Sequence, residues 1–399
     1  MNGGRDQDAG VDWELAGTDR RTTKNVVDLV ARLGPTDRKV IADMLGIGRS
    51  TLARAVGDLL DARMLIEFDT EPRGRGRPGT LLSVNPRAAS AIGLDFGLRH
   101  VRGAIVDAAH NTLMTAETRL TVDYTLEAAI DAATSLVARL EESATGPIMG
   151  IGVALPGPVD RSEMSLTRSS ILPNWAGTPV LRHFAHHFRY PLLGDNESNL
   201  AAYAEKLWGA ASDVESMIYL KLHSGVGGAI MMNGQIMRGQ RGAAGEFGHM
   251  SRDPLGEPCR CGNRGCLEAS IGVPRLLASM SAYQGRELSL SAAQRLVATG
   301  DDQCRAVLAA AGHDVGRALG TLSNALDPQC IVIGGALVGF GEPLLDAIRT
   351  GYRIAALPIH TDVPFRAAHL GRWASALGGT GLVLASGFDE LLARSWKSR

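Results

Sequence analysis

Apolar residues along this chain recur first with a helical period, and later with strand and helix periods in alternation. From Thr22 onward, Val26, Val27, Val30 and Leu33 fall at three-to-four spacing until Gly34-Pro35 stops the run. A second short helix is expected over about 37–45, with Val40, Ile41, Met44 and Leu45 turned inward. Gly46-Ile47-Gly48 reads as a tight turn, and a third helix over about 49–62 would bury Leu52, Val56, Leu59 and Leu60. A strand at 65–68, the loop EPRGRGRPG and a second strand at 80–84 follow. Three helices and a two-stranded hairpin make a winged helix-turn-helix over residues 20–87. Residues 1–19 lack periodic apolar positions and read as a disordered lead.

Asn85-Pro86 closes that head. The segments AIGLDFG, VRGAIVD and NTLMTAETRL then read as a strand meander. Beyond it, helices near 125–142, 196–208, 305–325 and 343–352 alternate with strands at 148–155, 216–222, 228–232 and 329–333. Residues 88–399 therefore form an α/β body, long enough for two lobes with a cleft between them. No repeat of 20–50 residues is visible.

Charge sharpens the division. The 399 residues carry 41 Lys and Arg against 42 Asp and Glu, which excludes a uniformly basic nucleic-acid coat or an acidic tail. Yet residues 20–87 hold 13 basic against 8 acidic side chains, and residues 88–399 hold 27 against 29. A basic head on a mildly acidic body suggests two jobs. No apolar run reaches the ~18–20 residues of a membrane span, and the polar start MNGGRDQDAGVDWE is no signal peptide. Five cysteines, three of them within eight residues, favour a metal site in a reducing cytoplasm over a disulfide framework.

In the head, Arg49, Ser50, Thr51 and Arg54 stand at the start of the third helix, opposite its apolar stripe. Short polar and cationic side chains there suit the base edges and phosphates of a major groove. Arg73, Arg75 and Arg77 alternate with glycines, which suits an extended backbone in a minor groove or along phosphates. Either feature alone would equally fit a small bundle with a solvated linker. Together they point to double-stranded DNA.

The sharpest signal is Gly245-Glu246-Phe247-Gly248-His249 followed by Cys259-Arg260-Cys261-Gly262-Asn263-Arg264-Gly265-Cys266-Leu267-Glu268. His249, Cys259, Cys261 and Cys266 supply the one-nitrogen, three-thiolate set that suits tetrahedral Zn²⁺. Four protein ligands leave no open position for a reactive water, so the zinc would be structural. It would fix the His249 ring and leave its second nitrogen for a ligand. Cys304 and Cys330 read as core cysteines.

These residues resemble the signature ExGH-x9-CxCGxxGCxE of the ROK family of repressors, open reading frames and sugar kinases. With the head, residues 20–395 resemble a ROK transcriptional regulator. The resemblance implies an α/β, two-lobed actin-like fold, that of sugar kinases and the Hsp70 ATPase, behind the N-terminal winged helix-turn-helix. It implies a sugar or sugar phosphate held by Glu246, His249, Glu268 and the pair Asn196-Glu197, with Asn174 and Gly157 along the same cleft. Planar carboxylates and amides suit vicinal hydroxyls. Each residue also has an ordinary reading: Glu268 as a helix cap, Asn196 as a turn residue, Asn174 as a loop residue. The resemblance further implies a homodimer or homotetramer meeting a paired-half-site operator.

The family's kinases offer the alternative, an ATP-dependent sugar kinase with an appended head. Here the chain departs from them. Their DxGGT loop reads Asp95-Phe96-Gly97-Leu98-Arg99-His100, and their GTGxGGG loop reads His223-Ser224-Gly225-Val226-Gly227-Gly228-Ala229. Their catalytic aspartate is Glu197, one methylene longer, and misplacement of about 1 Å can cost ~10²-fold. The expectation is a sensor with no catalytic residue, Glu197 marking the former base position. The segment 331–335 resembles the family's adenosine-side loop. A third reading is a DNA-binding protein whose body only oligomerises.

Overall fold

The computed structural model describes residues 20–69, 80–160, 165–167 and 172–397; the lead and the wing-loop residues Arg73, Arg75 and Arg77 lie outside the described residues. The chain divides into two units. One gathers Met1–Ala88, Ala108–Asn111 and Ser386–Arg399, the other Ala89–Asp107 and Thr112–Ala385. The pieces 108–111 and 386–399, expected in the body, thus group with the head.

In the first unit the helices are α1 (Arg20–Leu33), α2 (Arg38–Leu45) and α3 (Arg49–Asp61), followed by strands β1 (Leu65–Asp69) and β2 (Thr80–Val84). Local chemistry sets the borders. Asp37 caps α2 by accepting hydrogen bonds from the Lys39 and Val40 amides at 2.8 and 3.0 Å. Gly46 closes α2 in the left-handed region, at φ 62°, where a side chain would be strained. The strands pair antiparallel with Leu65 opposite Val84, and Thr36 adds a short bridge to Leu82 that periodicity did not foresee. Val26, Val27, Val30, Ile41, Leu52, Val56 and Leu59 form the core. Leu33, Val40 and Met44, expected inward, are 41%, 38% and 52% exposed. An eight-residue helix buries one narrow face, here Ile41 and Ala42, and Val40 and Met44 share the other side.

The second unit is built on two sheets. The first comprises β3 (Ser90–Gly97), β4 (His100–Asp107), β5 (Thr112–Arg119), β6 (Ile148–Leu155) and, after a small hairpin β7 (Val159–Asp160) and β8 (Ser165–Leu166), β9 (Leu192–Asn196). The other comprises β10 (Met217–Leu222), β11 (Val226–Met232), β12 (Gln235–Ile236), β13 (Cys330–Gly334) and β14 (Phe365–Ala367). Their strand orders are β5-β4-β3-β6-β9 and β12-β11-β10-β13-β14. Each sheet is therefore the same design: an antiparallel meander of three strands, then two parallel strands added beyond its first member.

Helices fill the parallel crossovers, and each sheet has its own apolar core. Phe96, Trp175 and Phe184 anchor one; Ile331, Ile333, Leu308 and Ile348 anchor the other. The helix Ala374–Lys397 packs its Gly379 against Gly152, where a Cβ on Gly152 would stand 2.1 Å from the Gly379 carbonyl oxygen. Backbone-to-backbone contact of this kind holds that helix against the first sheet. Cys304 and Cys330 are buried and unbridged, as core cysteines should be. Among the described residues no helix is long and apolar enough to cross a membrane.

Candidate functional site

The two sheets present equivalent edges to one cavity of about 480 Å³. The first turn of each meander lines it: Gly97 to His100 between β3 and β4, and His223 to Gly225 between β10 and β11. The end of the fourth strand of each design lines it too, through Pro156-Gly157-Pro158 and Gly335-Ala336. Carboxyl ends of parallel strands commonly form such crevices.

Around this frame the structure gathers most of the expected residues. Asn196, Glu197, Glu246, His249, Glu268 and Gly157 all line the cavity. Asn196 ends β9 and caps the following helix, its Oδ1 accepting from the Ser198 and Asn199 amides at 2.7 and 3.3 Å. Its oxygen is thus committed to the backbone, and its amide NH₂ is what it can offer a ligand. Glu268, in the short helix Leu267–Ile271, accepts the Val226 amide at 3.0 Å through Oε2, with Arg260 Nη2 3.5 Å from Oε1. Part of each ordinary reading is therefore true: both side chains hold backbone as well as facing the cavity.

Asn174 is different. It stands exposed on the 3₁₀ turn Pro173–Trp175 and does not line the cavity. Its neighbour Trp175 is buried against Phe96, Tyr124 and Phe184, which pins the turn to the core of the first sheet.

The cysteine loop is built for a metal. Ligand atoms of His249, Cys259, Cys261 and Cys266 lie within 4.8 Å of one another. Cys259 Sγ is 3.6 Å from His249 Nδ1, and Cys261 Sγ is 3.6 Å from Cys266 Sγ. A tetrahedral ion with sulfur bonds of about 2.3 Å has sulfur–sulfur edges near ~3.8 Å, so the donors fit such an ion. Glycines make the return possible. Gly262 turns at φ 97°, and a Cβ on Gly265 would stand 1.7 Å from the Asp253 carbonyl oxygen.

With Nδ1 facing the thiols, His249 turns Nε2 toward Glu246, whose Oε2 is 3.8 Å away. Burial, reinforced by the charges of Glu197 and Glu268, pushes the Glu246 carboxyl up to about 7. Burial and the charge of Lys221 bring His223 down to about 4, so that ring is neutral near pH 7.

Several residues at the site were not among the expected ligands. Asp195 accepts from Arg238 at 2.6 Å and from Asn199 at 2.9 Å, bracing the turn that holds Asn196. Lys221 reaches Glu197 at 2.7 Å, and Arg102 reaches Glu117 at 2.8 Å. Asp95 is buried, which works against its charge, yet a hydrogen bond with His100 and the charges of Lys221, His100 and Arg102 hold it below the usual carboxylate range. Lys221 was visible as the one charge inside the apolar run SMIYLKL. In the head, Arg49, Ser50, Thr51 and Arg54 are exposed together along the start of α3.

Comparison with known proteins places this arrangement. The ROK family profile matches residues 91–386. A xylose repressor of Bacillus spizizenii is 27% identical over 365 residues, covering 90% of this chain and 94% of its own. The crystal structure of a ROK family transcriptional regulator, a homologue of the E. coli Mlc protein, matches with a TM-score of 0.78 at 22% identity, over 94% of this chain and 97% of that one. The ROK hexokinase of Thermus thermophilus matches with a TM-score of 0.62 at 30% identity, over 73% of this chain and 96% of its own.

The double role of Asn196 is open to measurement. Asn196→Ala removes the cap and should cost about 0.5–2 kcal/mol in a denaturant titration, whereas Asn196→Ser, which still caps, should cost a few tenths. Equal losses would mean that the cap contributes nothing.

Proposed function

Because this chain belongs to the ROK family, with that family's two-lobed actin-like fold, we propose that it is a sugar-responsive transcriptional repressor. The observation that carries this reading is the extent of the match to the xylose repressor. At 90% of the chain it is longer than the whole body from residue 89 onward, so it must include head as well as body. The hexokinase match, at 73%, is shorter than the body.

In this reading the head grips operator DNA through Arg49, Ser50, Thr51 and Arg54 on α3, with Arg73, Arg75 and Arg77 of the wing on phosphates or in a minor groove. The body holds a sugar or sugar phosphate among Asn196, Glu197, Glu246, His249 and Glu268, with Gly157 beside them. Asn174, outside the cavity, has no place in this set. Paired heads of a homodimer or homotetramer would meet half-sites spaced by whole turns of the duplex. The ligand shifts DNA binding only as far as it prefers one state of the protein over the other.

The ion in the His249 cluster is zinc in this reading, chosen by three thiolates and one imidazole, and it serves to clamp the loop. It supplies no reactive water, since the protein fills all four positions.

Phosphoryl transfer is not expected. Phosphate loops of kinases rely on close-packed glycines and a threonine, whereas here Leu98, Arg99 and His100 follow Gly97. The base position Glu197 is already bonded to Lys221.

The reading is tested by titrating promoter duplexes against salt. Arg54→Ala and Arg77→Ala should each weaken binding and flatten the logarithmic salt slope by about 1. Unchanged affinity in both would refute the head assignment. A sugar panel should raise the thermal midpoint by mass action.

Cys261→Ser should lose zinc by more than the ~10–100-fold that an outer-shell partner alone is worth, and should lower the thermal midpoint. Elemental analysis that finds one zinc per chain in that variant would reject the ligand set.

With the best-binding sugar and ATP, coupled ADP release should stay far below the ~1–10³ s⁻¹ of ordinary enzymes. Turnover inside that range would restore the kinase reading.

A further inference from the structure

Lys221 is out of place by every local rule. It sits in β10, a central strand of the second sheet, between Leu220 and Leu222, both buried. A buried ammonium is costly unless it is paired and hydrogen-bonded. The sheet has been cleared for it. In the strand register Lys221 stands opposite Gly227 of β11 on one side and Gly334 of β13 on the other. Neither neighbour has a side chain to crowd its stem. A Cβ on Gly227 would stand 2.2 Å from Ser198 Oγ, beside Glu197.

Down that lane the ammonium meets Glu197. Nζ lies 2.7 Å from Oε2, and the two side chains are 20% and 13% exposed. Among the described residues, Lys221 is the side chain bonded to the Glu197 carboxylate. Both residues line the cavity. Asp95 of the first sheet adds negative charge near Lys221, and its Oδ1 is buried without a hydrogen-bond partner.

A carboxylate held by one oxygen is an oriented acceptor. The cation takes Oε2, and Oε1 remains for a hydroxyl group. The ion pair also occupies one of the two oxygens that a general base would need free. Glu197 thereby becomes a reader of the ligand.

We propose that Lys221 is a specificity-determining positioning residue of the sugar site, fixing Glu197 so that one carboxylate oxygen reads a single sugar hydroxyl. This rests on the reading of the cavity as a sugar receptor. It assigns to a residue outside the family's motifs the choice of which hydroxyl is required.

Calorimetry on the full-length, metal-loaded protein decides it. D-xylose, D-glucose and N-acetyl-D-glucosamine are titrated first, and the tightest is followed by its monodeoxy analogues. In the wild type, one analogue should bind at least tenfold more weakly than its parent sugar. Glu197→Gln identifies which, by shrinking that ratio.

Lys221→Met should bring the same ratio below threefold while the ratios at other positions stay within twofold, and Lys221→Arg should restore it. A merely structural role would weaken parent and analogues alike and leave every ratio intact. Lys221→Gln, polar and of similar length, serves in place of Met if that variant does not fold. Unchanged ratios in the Met or Gln variant overturn the assignment while leaving the receptor reading in place. A wild-type protein that binds none of the three sugars, no member of a wider sugar panel and none of their phosphates overturns the receptor reading, and this assignment with it.

Discussion

The two nitrogens of His249 serve different neighbourhoods, and the site depends on that division. Nδ1 faces three thiols and Nε2 faces the cavity beside Glu246. A metal held at Nδ1 would leave Nε2 to face the cavity, and so would decide which face of the ring meets a ligand. A ring so held could not rotate without giving up the ion. The cysteine loop would then be an orienting device, and the Gly262 and Gly265 turns are what bring its ends together. Glu268, two residues beyond Cys266, inherits the same fixed backbone and delivers its carboxylate to the cavity and to the Val226 amide.

Around that anchor the body is one topological idea used twice. Each sheet presents its first meander turn and the end of its fourth strand to the same space. The cavity therefore has two matching walls, with charged side chains mounted on each. The first wall carries Arg102, with Asp95 buried close by, and the second carries Lys221. Glu197, at the start of the helix that follows β9, completes an ion pair to the second. Pairing of charge across matching walls explains why a site this polar can sit between two apolar cores. Each buried charge has an opposite one close by, so few bear the full cost of leaving water.

Much of this was legible in the chain. Helix borders in the head followed from Asp37, Gly46 and Gly48, which are local signals with local causes. The clustering of His249, Cys259, Cys261 and Cys266 followed from spacing, because short loops with glycines bring such side chains together. What escaped was non-local. Val40 and Met44 fit a helical stripe, but which stripe faces inward depends on partners that periodicity does not name. Strand β9 and the twofold topology were invisible, since the two copies share an order of strands and no repeat of residues. Asn174 shows the limit of carrying a role by resemblance: a buried Trp175 fixes its turn away from the cavity. Lys221 had a signal, one charge in an apolar run, but its meaning needed the glycines that stand opposite it in two other strands.

The contrast between a kinase cleft and a receptor cleft can be put in terms of where positive charge comes from. A phosphoryl-transfer site must leave room for the cation and phosphates that arrive with its nucleotide, and must keep its base free. Here cations are part of the chain. Lys221 holds Glu197, and Arg102 is tied to Glu117. A site whose countercharges are built in keeps its polar groups oriented before any ligand enters. That is preorganisation, which lowers the ordering cost of binding. In the sensor reading, the same fold passes from transfer to sensing through a few side chains at the turns, without any change in its strands.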